Sequence, residues 1–193
     1  MPEGKRGREV RIYQEKVYSY LKRIFGENNA KKEWDVAKDS MDDFIRKLYC
    51  PRLDLAVGPF NIDRKITYNN TEIEKTIGHY RSLLEKMFNY SEQCDGNFDE
   101  FLNKRNINPR CFLAIEIENY GTGKYMLGNI ANVSIIGSIG VIIPFNDRQL
   151  SNCKRIIAYV DFATEVKKIK AIFENILVID KEIFLKVLKK ELS

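Results

Sequence analysis

The stretch from Cys111 to Phe145 constrains this chain more than any other: two apolar runs flank a glycine turn and a segment of helix length. In CFLAIEIEN, residues 111–119, Leu113, Ile115 and Ile117 recur with the period of two that turns alternate side chains to one face of a strand. Tyr120-Gly121-Thr122-Gly123 then turns the chain, and Lys124 to about Ser138 predicts a helix. Its small residues Gly128, Ala131, Ser134 and Gly137/Ser138 form a stripe on which a helix can lie close to a sheet. Ile139 to Phe145 is short and apolar enough for a second buried strand. Strand, helix and strand in this order make a β-α-β crossover, which joins parallel strands and covers one face of the sheet. The first strand is therefore expected inside the sheet, with both faces covered.

The remaining patterns fit around that unit. Residues 9–25 set Val10, Tyr13, Val17, Tyr20, Leu21 and Ile24 at helical spacing, and Gly26 stands where a helix commonly closes. A second helix is predicted over Asp35 to Tyr49, ended by Pro51. Leu53, Leu55 and Val57 alternate with Arg52, Asp54 and Ala56, predicting a strand stopped by Gly58-Pro59. Residues 71–90 predict a third helix with Thr71 as N-cap and Glu74 completing a capping box. A loop over 91–110 holds a short helix around Phe98–Leu102. Further on come a helix from Arg148 to Thr164 with a lysine-rich continuation toward Glu174, an edge strand over Ile176–Asp180 and a helix over Glu182–Leu192. The expected class is α/β: a small central mixed sheet flanked by helices, one domain over 1–193, with 61–110 as an inserted helical segment.

Composition narrows the chemistry. At 193 residues, with 44% hydrophobic and 31% charged side chains, the chain can bury a full core. It has no apolar run near the ~20 residues that span a bilayer and no apolar segment behind its N-terminal charges, which predicts a cytoplasmic protein. Cys50, Cys94, Cys111 and Cys153 show no C-x-x-C spacing, so reduced thiols are expected rather than a zinc ribbon or a disulfide scaffold. A single histidine, His79, excludes a two-histidine metal site. The net charge of +5 suits contact with polyanions without demanding it. Hydrolytic chemistry would rest on carboxylates and lysines.

Glu116 and Glu118 are two apart on a strand and so share a face, about 6–7 Å apart. On an interior strand the pair loses hydration and repels itself unless a cation or donors compensate, and a hard divalent ion prefers carboxylate oxygens. Asp54 repeats the problem on a second apolar strand. Plainer readings stand beside this one: an edge strand with both glutamates solvated and paired to lysines, and Asp54 in an ion pair with Arg52 or Arg110. Gly121-x-Gly123-Lys124 lacks the full phosphate-loop spacing and reads as a strand-to-helix turn.

The order Asp54 … Glu116-Ile117-Glu118, with the E-x-E on an apolar strand that leads through a helix into another strand, resembles the PD-(D/E)XK nuclease superfamily. That superfamily includes many restriction endonucleases and archaeal Holliday-junction resolvases. Pro51-Arg52-Leu53-Asp54 resembles its first acidic motif and Ile115-Glu116-Ile117-Glu118 its second. The resemblance implies a restriction endonuclease-like core in which Asp54 and Glu116 bind Mg²⁺ or Mn²⁺, helped by the Ile117 carbonyl. Glu118 occupies the usual lysine position; in restriction enzymes of the family that carry E-x-E, the second glutamate acts at the attacking water. Lys124 is an auxiliary cation candidate, and Glu15 or Glu9 a candidate for the family's first-helix glutamate. Asp54, Glu116 and Glu118 are thus the expected catalytic residues of a metal-dependent deoxyribonuclease acting on double-stranded DNA as a homodimer, since cutting a duplex needs two symmetry-related sites. The alternatives are a non-catalytic DNA- or protein-binding module on such a scaffold and a structure-specific repair or recombination nuclease.

Overall fold

In the computed structural model of the chain, which describes residues 3–39, 46–47, 50–61, 66–92, 96–119, 122–168 and 173–193, five strands line up in chain order in one sheet. β1 (Ala30–Asp35), β2 (Arg52–Val57) and β3 (Cys111–Glu118) are antiparallel neighbours, and β4 (Gly137–Pro144) and β5 (Ile176–Val178) extend the sheet parallel to β3. Helix α1 (Glu3–Phe25) precedes the sheet. Helices α2 (Ile66–His79), α3 (Arg81–Asn89) and α4 (Phe98–Asn103) occur between β2 and β3. Helix α5 (Gly123–Ile136) joins β3 to β4, α6 (Asp147–Glu165) joins β4 to β5, and α7 (Lys181–Glu191) follows. The chain is α/β with a mixed sheet flanked by helices, as expected.

Each face of the sheet has its own apolar layer. Leu113, Ile115 and Ile117 of β3, with Val141 and Leu177, pack beneath Val17 and Leu21 of α1, Met87 of α3 and Phe184 of α7. Ala114, Ile142 and Val178 face Met126, Ile130 and Val133 of α5 and Cys153 and Ile157 of α6. All eight residues of β3 are buried, so the strand is interior. Helix α1 follows directly from its sequence: Tyr13, Val17, Leu21 and Phe25 recur every fourth position and are buried, and Gly26 at φ 96° closes the last turn with its N–H on the Lys22 carbonyl.

Four expectations are corrected. The predicted second helix begins with the end of a strand, because 30–35 is β1, and 36–39 form a turn. The rest of that prediction falls on 40–45 and 48–49, outside the described residues, and on Arg46 and Lys47, described as helix and turn. The third helix is two helices, and Thr71 lies inside α2 rather than capping it. The break at Tyr80 follows Gly78, a weak helix former, and lets the Tyr80 hydroxyl donate to the Ile24 carbonyl (3.0 Å). Over the described residues 166–168 and 173–174 the lysine-rich extension of α6 is not helical: the helix ends at Glu165, and Lys167 has φ 58°; residues 169–172 of that prediction lie outside the described residues. Finally, the small-residue stripe on α5 is not its contact surface. A methyl group on Gly128 would meet nothing within 4 Å, whereas one on Gly140 of β4 would lie 2.8 Å from Val133. The helix does approach the sheet closely, but the glycine that admits it belongs to the strand. Among the described residues no helix is long and apolar enough to cross a membrane.

Candidate functional site

Strands β2 and β3 pair only from Leu55–Val57 against Leu113–Ile115; beyond Leu55 and Ile115 they part. Asp54 is the first residue in that fork. Its Oδ2 accepts the Ile117 N–H at 2.8 Å, taking over a donor that the ladder no longer satisfies. The Glu116 carboxyl hydrogen-bonds the Asp54 carboxylate across the opening. A backbone irregularity lies on the other side of β2. The β1–β2 register runs from Ala30↔Val57 to Asp35↔Arg52 but skips Glu33, which stands opposite Asp54 with φ 51°. A glutamate in the left-handed region in mid-strand is strained. Both strands change face across this position. Ala30, Leu55 and Val57 belong to the layer under α1, while Trp34 and Leu53 belong to the layer under α5. The predicted alternation of Leu53 with Leu55 and Val57 is therefore interrupted at Asp54.

Two side chains that sequence reasoning missed complete this corner. Glu33 is bound by Arg52 Nε (2.9 Å) and by Gln14 Nε2 (3.0 Å), and the same Gln14 amide donates to the Asp54 carbonyl (3.1 Å). Gln14 is 8% exposed on α1. It sits within the apolar stripe Val10, Val17 and Leu21, and a polar residue on a core-facing stripe was the signal available. For Glu33 there was none, because β1 was not recognised. The ion pair anticipated between Arg52 and Asp54 goes to Glu33 instead.

Electrostatics follow from burial. Glu116, 6% exposed, has its pKa pushed well above the ordinary range by desolvation, then by the charge of Asp54 and the hydrogen bond to it, with Glu118 and Glu33 adding in the same direction. Asp54 is also raised by desolvation, partly offset by the Ile117 N–H and the Glu116 carboxyl. Such a pair holds a proton between two oxygens unless a cation replaces it. Glu118, 1% exposed, faces the same side of the sheet. Asn129 Nδ2 of α5 donates to its Oε1 at 2.6 Å, and burial raises its pKa. The solvated-edge reading of the two glutamates is excluded by these exposures. Nearby, Cys153 of α6 is pushed up to about 12 by burial and the Glu118 charge. Among the described residues the buried oxygens Asn119 Oδ1 and Gln149 Oε1 have no hydrogen-bond partner.

Of the expected residues, Asp54, Glu116 and Glu118 are thus neighbours, but the auxiliary ones are elsewhere. Lys124 is exposed on α5, half a turn round from the buried Val133 at 100° per residue. Glu15 is exposed and paired with Lys32, and Glu9 is exposed; Gln14 is the α1 residue at the fork. Among the described residues no three Asp, Glu, His or Cys side chains are arranged about one ion position. The donor set is the Asp54–Glu116 pair. That pair fits Mg²⁺ or Mn²⁺, because Mg²⁺ is commonly held by one or two carboxylates and keeps several waters. Cys50, Cys111 and Cys153 are free thiols; Cys94 and the turn residues Tyr120 and Gly121 lie outside the described residues. Comparison of the chain with family models, with curated proteins and with solved structures finds no match.

Proposed function

We propose that this protein is a divalent-metal-dependent deoxyribonuclease that hydrolyses phosphodiester bonds of double-stranded DNA, resembling the type II restriction enzymes of the PD-(D/E)XK superfamily. The observation that carries the reading is the Asp54–Glu116 pair, a half-buried and a buried carboxyl in contact at the mouth of a strand fork. Burying a pair of acids is costly, and the cost is recovered when a cation displaces the shared proton. A bound Mg²⁺ or Mn²⁺ would polarise the scissile phosphodiester and make its water more acidic.

The chain's own groups then have distinct parts. The Ile117 N–H fixes the direction of Asp54. Gln14 braces the Asp54 main chain against Glu33, so that β2 keeps its irregular course. Glu118, aimed by Asn129 and raised by burial, is suited to accept a proton from the attacking water near neutral pH. The test is incubation of the full chain with duplex DNA in Mg²⁺, Mn²⁺ or EDTA, beside a Glu116→Gln variant. Metal-dependent cleavage that the variant lacks is the expected result. Undiminished cleavage by Glu116→Gln would remove the site, and intact duplex under every metal would remove the activity.

One observation favours a second reading, a DNA-binding scaffold without catalysis: Glu118 is engaged by Asn129 and stands where the family's lysine would be. In that case Mg²⁺ titrated into the protein would leave its melting temperature unchanged.

A further inference from the structure

Four cations cluster near the carbonyl ends of α1 and α7. The two helices lie side by side, with the Tyr13 hydroxyl of α1 donating to the Lys181 carbonyl at the start of α7 (2.8 Å). Near their other ends they frame a groove of about 490 Å³ lined by Tyr20, Arg23, Lys186, Lys189 and Lys190. All four cations are exposed, and among the described residues none makes an ion pair or a hydrogen bond. Glu27, just past the end of α1, is engaged by Lys22, and Glu191 at the end of α7 by Lys86 (2.9 Å), both cations outside the groove.

Helix polarity accounts for only part of this. Lys189, Lys190 and Arg23 stand in last turns, where cations are favoured, but each helix end amounts to about half a negative charge. Two helix ends sum to about −1 against four full positive charges, so the groove stays positive by about three. The positive surface also continues along α1. Arg8, Arg11 and Lys16 are exposed and, with Arg23, fall within an arc of about 140° at 100° per residue. Gln14, the α1 residue at the carboxylate fork, lies about 60° beyond Arg11 on the same helix. From Arg11 to Arg23 the helix rises about 18 Å, the length of roughly five phosphates along one strand of a duplex.

We propose that the exposed face of α1 and the α1–α7 groove bind the sugar–phosphate backbone of duplex DNA and lead it toward the carboxylate fork. Naming DNA as the polyanion rests on the nuclease reading; the cationic surface itself does not. The arrangement offers backbone contacts rather than base contacts, so it positions the duplex without reading its sequence. Affinity should fall steeply with salt, because every neutralised phosphate releases counterions.

Binding of the full chain to labelled duplex DNA in EDTA, followed by fluorescence anisotropy over a salt series, tests this without cleavage. The Arg23→Gln, Lys186→Gln, Lys189→Gln, Lys190→Gln quadruple variant should bind at least about tenfold more weakly, with the log–log salt slope shallower by about three. Its melting temperature should stay close to that of the parent. A charge-matched control, with Lys38, Lys75, Lys104 and Lys154 each changed to Gln, should bind nearly as the parent does. Wild-type affinity and slope in the groove variant, or an equal loss in the control, would overturn the proposal. So would a parent that ignores duplex DNA but binds vesicles of anionic phospholipid. Cleavage is scored separately in Mg²⁺. Groove-dependent binding without cleavage ends the nuclease reading alone, and cleavage with groove-independent binding ends this proposal alone.

Discussion

The two halves of the sheet are built to different standards. From β3 to β5 the strands are parallel, buried and regular, with Leu113, Ile139 and Val141 in one apolar layer and Ala114, Ile142 and Val178 in the other. From β1 to β3 the strands are antiparallel, change face at Glu33 and Asp54, and fork after Leu55 and Ile115. The regular half carries the packing, and the irregular half sets the half-buried Asp54 and the exposed Glu33 beside the buried Glu116 and Glu118 of β3. A strained glutamate, a broken ladder and acids with raised pKa values in one corner are features that folding alone would remove. They persist where the neighbouring half is rigid enough to hold them.

This contrast breaks most sharply at Asp54. Asp54→Asn keeps an oxygen for the Ile117 N–H but removes the charge that holds a metal. Cleavage should fall by at least about 10³-fold, more than about 4 kcal/mol in the barrier, while the melting temperature in EDTA is unchanged or higher. A variant that loses both activity and several degrees of stability would mean that Asp54 is a structural brace, and the irregular half merely imperfect.

The next largest effect belongs to the regular half. A methyl group on Gly137 would lie 2.6 Å from the Ile139 carbonyl oxygen and 2.9 Å from the Ala114 nitrogen, both backbone atoms that cannot move aside. Gly137→Ala should cost roughly 2–3 kcal/mol, about 5–10 °C in melting temperature. A shift of less than two degrees, measured by calorimetry, would show that this half yields as readily as the other.

Acid titration sharpens the comparison without mutation. Glu116 has a raised pKa in the folded protein, so its contribution to stability is complete below the ordinary value of 4.5 and is lost as pH rises through the raised one. In EDTA the protein should therefore melt at progressively lower temperature as pH is raised above the ordinary glutamate range. Glu116→Gln should flatten that slope, and Mg²⁺ should reverse it by favouring the ionised pair. A metal-free melting temperature that does not move between mildly acidic and mildly alkaline pH would contradict the burial assigned to this pair.

Legibility divided along the same line. The parallel half announced itself, because buried parallel strands need near-continuous Leu, Ile and Val, and the crossover helix between them has one connection to make. Asp54, Glu116 and Glu118 were readable for the complementary reason: acids stand out on apolar strands. The edge strand β1 was not, because AKKEWD buries only Ala30 and Trp34 and shows no period. With β1 unseen, Glu33 had no place in the site. Gln14 was hidden differently, since its helix was correctly read but its polar side chain was passed over on an apolar stripe. Lys124 and Glu15 were chosen by proximity in sequence, whereas position on a helix decides which way a side chain faces: Lys124 lies opposite the packed stripe of α5, and Glu15 sits one residue past the inward Gln14.

The smallest predicted effect tests the contact between α5 and the regular half of the sheet. Gly128 sits in the interior of α5, on the stripe expected to approach the sheet, yet a side chain there would enter open space, and the tight contact is between Val133 and Gly140. Glycine within a helix costs roughly 0.5–1 kcal/mol relative to alanine, because the unfolded chain gains more freedom than any contact returns. Gly128→Ala should therefore stabilise the protein by that amount, about 1–4 °C in melting temperature, with no change in DNA cleavage. Gly140→Ala, whose new methyl meets a stiff β-branched neighbour, should act in the opposite direction. Opposite signs for two glycine-to-alanine changes at one helix–sheet contact require α5 to present Val133, not Gly128, to the sheet. Equal signs would rotate the helix, carry Asn129 away from Glu118, and undo the arrangement that aims the second glutamate.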